Sequence, residues 1–204
     1  MIHIDERNSP VRLFHTMKAA AEAGLAPRVW YANIEDGIVI TDFIEAVPLS
    51  INEALIRIPR TLRKLHALPL FPKAFNFVTM HNTFIWRFQA ADFLPRNEIA
   101  EVFQQYARIA AIYPRLPSDI VFYHDDLKPE NILFDGHQLW LADWQAAFVN
   151  DHYFDLAIVA NFVLNNHTDE LTYLQKYFEQ SPDDYQLRAI LPRATRDAPD
   201  VCPC

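Results

Sequence analysis

Asp126, Asn131 and Asp143 are the residues whose types and spacing carry chemistry in this sequence. Asp135-Gly136 is a tight-turn dipeptide between two β-rich runs, 132–134 and 139–142. A hairpin closed by that turn brings Asn131 and Asp143 to the same open end, and Asp126 lies in the loop that enters it. One carboxylate, one amide oxygen and a second carboxylate therefore converge. These are hard oxygen ligands suited to Mg²⁺, with one carboxylate left to orient a hydroxyl nucleophile. Phosphoryl transfer asks for this division, because the metal screens the phosphate charge and the protein mainly positions the reactants. Any one of these acidic residues alone reads as part of a solvated loop, but three at hairpin-consistent spacing read as a site.

The elements that must hold this hairpin follow from local signals. Ser9-Pro10 is an N-cap followed by proline at the first helical position, and an Ala-rich helix over 11–23 ends at Gly24. Residues 29–31 and 38–41 are β-rich and flank the turn sequence Glu35-Asp36-Gly37, which predicts an antiparallel hairpin. Ser50-x-x-Glu53 is a capping box, with two short helices expected after it, divided by Pro59. Residues 71–95 read as an irregular, aromatic-rich insertion with a short helix over 86–93. A helix is expected over 97–112 from the spacing of Ile99, Val102, Phe103, Tyr106 and Ile109, and a short strand over 120–122. Helices over 153–164 and 171–178 complete the ordered chain, and residues 186–204 are expected to be irregular.

Composition narrows the function classes. The 204 residues carry a formal net charge of −8, which argues against a nucleic-acid partner, since phosphate backbones are bound by clusters of Lys and Arg. No segment approaches the ~20 uninterrupted apolar residues of a membrane span, and the charged N-terminus is unlike a signal peptide. A cytoplasmic protein with neither nucleic-acid nor membrane partner is therefore expected. The two cysteines, Cys202 and Cys204, sit in a terminal Cys-Pro-Cys and exclude a disulfide framework. There are only 3 glycines, and none forms a glycine-rich phosphate loop.

The pattern H-x-D-x-x-x-x-N at His124, Asp126 and Asn131, the ADW at 142–144, NDHYFDLA at 150–157, and GLAPRVW with ITDFIEA around the first hairpin together cover most of residues 20–180. On these motifs the chain resembles the aminoglycoside phosphotransferase and choline kinase family, which shares the protein-kinase-like fold. The resemblance implies an α+β, two-lobe molecule. Residues 1–46 would form a reduced N-terminal lobe of helix, β-hairpin and hinge, 47–185 a mostly helical lobe bearing the catalytic loop, and 186–204 a tail. It implies ATP and Mg²⁺ as cofactors, with a small-molecule alcohol, including cationic ones such as choline, as acceptor. Asp126 would match the catalytic base, Asn131 and Asp143 the metal ligands, and Asp42, Phe43 and Ile44 the hinge whose backbone meets adenine. Asp155 would match the residue that braces the catalytic loop, and His124 a packing residue supporting the site.

DLKPENIL at 126–133 also resembles Ser/Thr protein kinases, in which a lysine at the position of Lys128 meets the transferred phosphate. The metal Asp is followed here by Trp144-Gln145 rather than Phe-Gly, however, and no Ala-Pro-Glu segment follows, which favours a small-molecule kinase. The family also carries strands ahead of its first helix, with a phosphate-covering loop and a lysine. The lysines here are Lys18, Lys64, Lys73, Lys128 and Lys176, and only MIHID stands where such a strand would end. The resemblance thus implies a shortened relative or a fragment, either an active phosphotransferase or a weakly active or inactive pseudokinase. His124-Asp125 also resembles the HD pair of metal phosphohydrolases, but the further ligands of such a site have no candidates. Phe84, Trp86, Trp144, Tyr153 and Phe154 suit either an aromatic pocket for a cation, with Asp151 and Glu170 adding negative charge, or core packing.

Overall fold

A computed structural model of the chain describes residues 10–69, 77–91, 96–112 and 116–190. Helix α1 (Pro10–Glu22) starts on its proline. It stops where Gly24 takes φ +63°, with the Gly24 and Leu25 N–H groups donating to the Ala21 and Ala20 carbonyls at 2.9 and 2.8 Å. Strands β1 (Val29–Asn33) and β2 (Ile38–Thr41) follow as an antiparallel hairpin, and the Asn33 side chain accepts from the Glu35 and Asp36 N–H groups in the turn. The expected N-cap Ser9, the MIHID segment and the Cys-Pro-Cys tail lie outside the described residues.

Helix α2 (Ile51–His66) is capped by Ser50, whose hydroxyl accepts from the Glu53 N–H at 3.3 Å. It is one helix, not the two expected. Pro59 removes one N–H from the ladder, but Ala54, Ile58, Pro59, Leu62 and Leu65 bury a continuous stripe that holds the helix through the break. Helix α3 (Phe77–Ala91) replaces most of the expected irregular insertion and begins well before the short helix read at 86–93. The run contains neither Gly nor Pro, and its scattered aromatics mask the helical period. Residues 70–76 and 92–95 of that stretch lie outside the described residues. Helix α4 (Arg96–Ile112) matches expectation within one residue.

The remaining elements build the site: β3 (Ile120–Tyr123), β4 (Ile132–Phe134), β5 (Leu139–Leu141), β6 (Phe148–Asp151), α5 (Tyr153–Phe162), α6 (His167–Phe178) and α7 (Asp184–Ile190). Strand β6 was not expected, and it pairs antiparallel with β3, placing Asn150 opposite Val121 and Asp151 opposite Ile120. Its polar end, Asn150-Asp151, disguises a strand that is nevertheless buried. Helix α6 starts earlier than residue 171 because Asn166 caps it, accepting from the Asp169 N–H at 2.9 Å. Helix α7 carries regular structure to Ile190, into the stretch expected to be irregular, and Ile190 is fully buried.

Among the described residues the strands form three separate two-stranded sheets, so the β1–β2 and β4–β5 hairpins do not share one. One core of α1, α2, α5 and α6 side chains packs around the β4–β5 hairpin, with Leu62, Leu65, Leu156, Tyr173 and Leu174 at its centre. The hairpin is clasped on both edges. The Leu141 N–H donates to the Leu25 carbonyl and the Val47 N–H to the Phe134 carbonyl, each at 2.7 Å. Among the described residues no helix is long and apolar enough to cross a membrane.

The hairpin turn is held by one side chain. Asp135 accepts from the His137 and Gln138 N–H groups through Oδ1 and from the Trp140 indole through Oδ2, each at 2.8 Å. These hydrogen bonds, led by those from Gln138 and Trp140, pull its pKa down from 3.8 to about 2. A depressed carboxylate contributes stability above its ordinary pKa and loses it as pH falls through the folded value. Asp135→Ala should therefore unfold in urea with about 1 kcal/mol less stability than the wild type at pH 7. The gap should narrow as pH is lowered from 4 towards 2.

Candidate active site

The β4–β5 register puts Ile132 opposite Leu141, and the Ala142 N–H donates to the Asn131 carbonyl at 2.9 Å. Asn131 and Asp143 therefore leave the same end of the hairpin. Asp126 is tied to this end through Asn131, whose Nδ2 donates to the Asp126 carbonyl at 2.8 Å and to its Oδ2 at 2.9 Å. Lys128 Nζ lies 2.7 Å from Asp126 Oδ1, so both carboxylate oxygens are held by donors. That hydrogen bond also raises the lysine pKa, keeping Lys128 cationic. Both hydrogen bonds of the Asn131 amide run from its nitrogen, which leaves its oxygen as the atom open to a ligand.

Asp143 sits in the left-handed region at φ 60°, ψ 64°, with Gln145 Nε2 donating to its Oδ2 at 3.4 Å. Asp125 also has positive φ, 68°. Two non-glycine residues in this region flank one site, and such backbone persists only where the surroundings over-determine it. For Asp143 part of that restraint is Trp144, buried against Phe122 with ring planes 5° apart, its indole N–H donating to the Leu141 carbonyl at 2.8 Å.

The loop entering the site is fixed by Asp155, a fully buried carboxylate in the first turn of α5. Its Oδ2 accepts from the His124 N–H at 2.8 Å and its Oδ1 from the Asp125 N–H at 2.9 Å. The His124 ring packs edge-on to Trp144, with 4.6 Å between centroids, and its Nδ1 accepts from the Asp126 N–H at 3.3 Å. Burial holds its pKa below the ordinary imidazole value against the pull of Asp155, so the ring is a neutral acceptor. Burial, followed by the charges of Asp155 and Asp126, pushes the Asp125 carboxyl up to about 7.

Sequence reasoning missed His66. Its Nε2 lies 3.1 Å from Asp155 Oδ2, and its Nδ1 lies 2.7 Å from the Tyr177 hydroxyl. Because a carboxylate only accepts, Nε2 carries the proton shared with Asp155. The available signal was position: His66 follows Ile58 and Leu62 at four-residue spacing on the buried stripe of α2, where an apolar residue would ordinarily stand.

In the segment expected to form the hinge, the Asp42 N–H donates to the Arg28 carbonyl at 2.9 Å, and Asp42 Oδ1 accepts from the Trp30 indole at 2.5 Å. Phe43 is 91% exposed and Ile44 is half-buried. The five aromatics considered for a cation pocket differ in burial. Trp144 and Tyr153 are buried in the core, Phe154 packs edge-on to Tyr123, and Phe84 and Trp86 stand exposed on α3. Of the acidic residues grouped with them, Asp151 is fully buried and Glu170 contacts His167 at 3.3 Å.

The sequence model of the phosphotransferase enzyme family, APH, matches residues 3–190. The chain belongs to this family. A search of curated proteins finds no significant match. Among solved structures, this phosphotransferase-family chain is similar to a choline/ethanolamine kinase family protein from Mesorhizobium loti, at 23% identity and TM-score 0.71, over 96% of this chain and 67% of that one. It is similar to the choline kinase LicA from Streptococcus pneumoniae at 20% identity and TM-score 0.64, over 90% of this chain and 64% of that one. The streptomycin-ATP-APH(2'')-IIa ternary complex matches at 16% identity and TM-score 0.65, over 93% of this chain and 73% of that one. These likenesses show the fold, a protein-kinase-like α+β arrangement. The family member described here spans about two thirds of the length of the two choline-kinase-type chains.

Removing the Asp155 carboxylate should leave two backbone N–H groups, the His124 one buried, and one imidazole N–H without their acceptor. Asp155→Ala is expected to lose about 3 kcal/mol or more of unfolding free energy in a urea titration. It should also speed amide exchange at residues 124 and 125.

Proposed function

We propose that this chain is an ATP-dependent phosphotransferase that moves a γ-phosphate to the hydroxyl of a small-molecule alcohol of the choline, ethanolamine, thiamine or aminoglycoside type. The observation that carries this reading is the Asp126 carboxylate, gripped by Asn131 Nδ2 and Lys128 Nζ beside the hairpin end from which Asp143 emerges. In this reading residues 1–46 form a reduced nucleotide-side lobe, 47–185 the catalytic lobe and 186–204 a tail, and the protein acts in the cytoplasm. Family membership and the ATP named in the ternary complex of a fold neighbour support it.

The donor set fits Mg²⁺. The Asn131 amide oxygen and the Asp143 carboxylate are hard ligands, and Mg²⁺ ordinarily takes only one or two protein oxygens, completing its octahedron with phosphate oxygens and water. When bound, the ion would supply neutralisation of charge on the β- and γ-phosphates. The chain's own residues do the rest. Asp126 accepts the proton of the acceptor hydroxyl as its oxygen bonds to the γ-phosphorus and the bond to the β-phosphate oxygen breaks, releasing ADP. Its hydrogen bond from Asn131 holds Oδ2, and Oδ1, paired with Lys128 in the free protein, is the oxygen that meets the substrate hydroxyl when the lysine turns to the phosphoryl group. Lys128, paired with Asp126 in the free protein, is a flexible cation within reach of the transferred phosphoryl group. Among the described residues the main-chain groups of Phe43 and Ile44 have no partner and are open to a purine edge.

Calorimetric titration with an ATP analogue and Mg²⁺ should show binding that weakens at least about 10-fold in Asp143→Asn, which keeps shape and removes one ligand charge. An ADP-release assay across choline, ethanolamine, thiamine and aminoglycosides should show turnover that falls about 10² to 10⁴-fold in Asp126→Asn. Equal binding by Asp143→Asn would overturn the ligand assignment, and unchanged turnover in Asp126→Asn the assignment of the base. Nucleotide binding without turnover on any alcohol would leave a binding-only protein.

A further inference from the structure

We propose that Arg12 is a positioning residue for Asp143, through which helix α1 sets the geometry of the metal-ligand hairpin; the inference rests on the reading of Asp143 as a ligand. Arg12 lies in the first turn of α1, yet its guanidinium reaches the segment directly after Asp143. Nη2 donates to the Gln145 carbonyl at 2.8 Å, Nη1 donates to the Ala147 carbonyl, and the cation lies 4.4 Å from the centroid of the Phe148 ring. Three of the five residues after Asp143 are thus gripped by one side chain.

The acceptors explain why arginine is needed. Residues 144–146 form a single 3-10 turn, and the carbonyls at the end of so short a turn have no following N–H groups to satisfy them. A planar guanidinium offers two parallel donors that meet two carbonyls at once, whereas an ammonium is a point donor. Asp143 itself occupies the left-handed region, where its backbone holds only if the chain is fixed on both sides. The hairpin bond from the Ala142 N–H to the Asn131 carbonyl fixes the side before it. After it, the Trp144 indole ties the turn to Leu141, and Arg12 ties it to α1. A shift of α1 would move these carbonyls and release the strained ligand residue. Arg12 touches neither metal nor nucleotide in this scheme; it acts through the main chain of 145–147.

Two variants and two readouts test this. Arg12→Met keeps the stem and loses both hydrogen bonds, and Arg12→Lys keeps the charge but cannot make both. Hydrogen exchange on the full chain without nucleotide should show faster exchange across residues 144–148 in Arg12→Met, an intermediate rate in Arg12→Lys, and little change at the Asp135–Gly136 turn. The Mg²⁺ concentration for half-maximal binding of an ATP analogue should rise about 10-fold or more in Arg12→Met, the usual scale for a residue that orients a ligand, with Lys in between. Affinity for the analogue without Mg²⁺ should change less, which a general loss of fold would not allow. Unchanged exchange across 144–148 would overturn the proposal whatever the nucleotide does. So would a Mg²⁺ dependence in Arg12→Met equal to that of the wild type. If the wild type itself showed no Mg²⁺-dependent binding, the ligand reading of Asp143 would fall, and with it the positioning role, while the exchange data would still report the α1 tether alone.

Discussion

The loop that carries Asp126 into the site depends on one buried carboxylate. A loop that leaves β3 without regular structure must find acceptors for its N–H groups, and Asp155 provides them for His124 and Asp125 together. The carboxylate is tolerated inside the protein because it stands in the first turn of α5, where the helix dipole favours an anion, and because His66 donates to it as well. A third helix joins through Tyr177, whose hydroxyl is hydrogen-bonded to His66 Nδ1. The ends of α2, α5 and α6 and the start of the loop after β3 are thereby fixed to a single point, and Asp126 inherits its place from that arrangement.

Sheet structure contributes little by comparison. The three two-stranded sheets of the described residues cannot form a rigid platform, so the β4–β5 hairpin relies on clasps from irregular chain. Leu25 and Val47 each supply one main-chain hydrogen bond to an outer edge of the β4–β5 pair. This leaves no described edge of that hairpin wholly bare and ties it to the segments before and after the first hairpin. Side-chain locks at Trp144 and Asp155 complete what a larger sheet would do elsewhere.

What was legible in the sequence was local. The turn at Asp135-Gly136, the Ser50 cap and the stop at Gly24 depend on neighbours a few residues away, and each stands where local chemistry puts it. The spacing of Asp126, Asn131 and Asp143 was legible because a hairpin converts spacing into position. Partners far along the chain were not legible. Pro59 continues a helix because a buried stripe outweighs one lost hydrogen bond, and β6 hides behind Asn150 and Asp151, which are polar in sequence but buried in the fold. His66 shows only as a polar residue on an apolar stripe, and its meaning appears once α5 is packed beside it.

The reach of Arg12 has a consequence for synthesis. Its acceptor carbonyls lie 133 and 135 residues further along the chain. At ~5–20 residues per second a ribosome needs on the order of 10 s to make that intervening stretch. During this interval α1 carries a cation whose acceptor carbonyls do not yet exist, whereas Asn131 and Asp143 are made within moments of each other. Asn131 and Asp143 are thus available to come together early on the growing chain, and the tether from α1 can arrive only after Ala147 has been added.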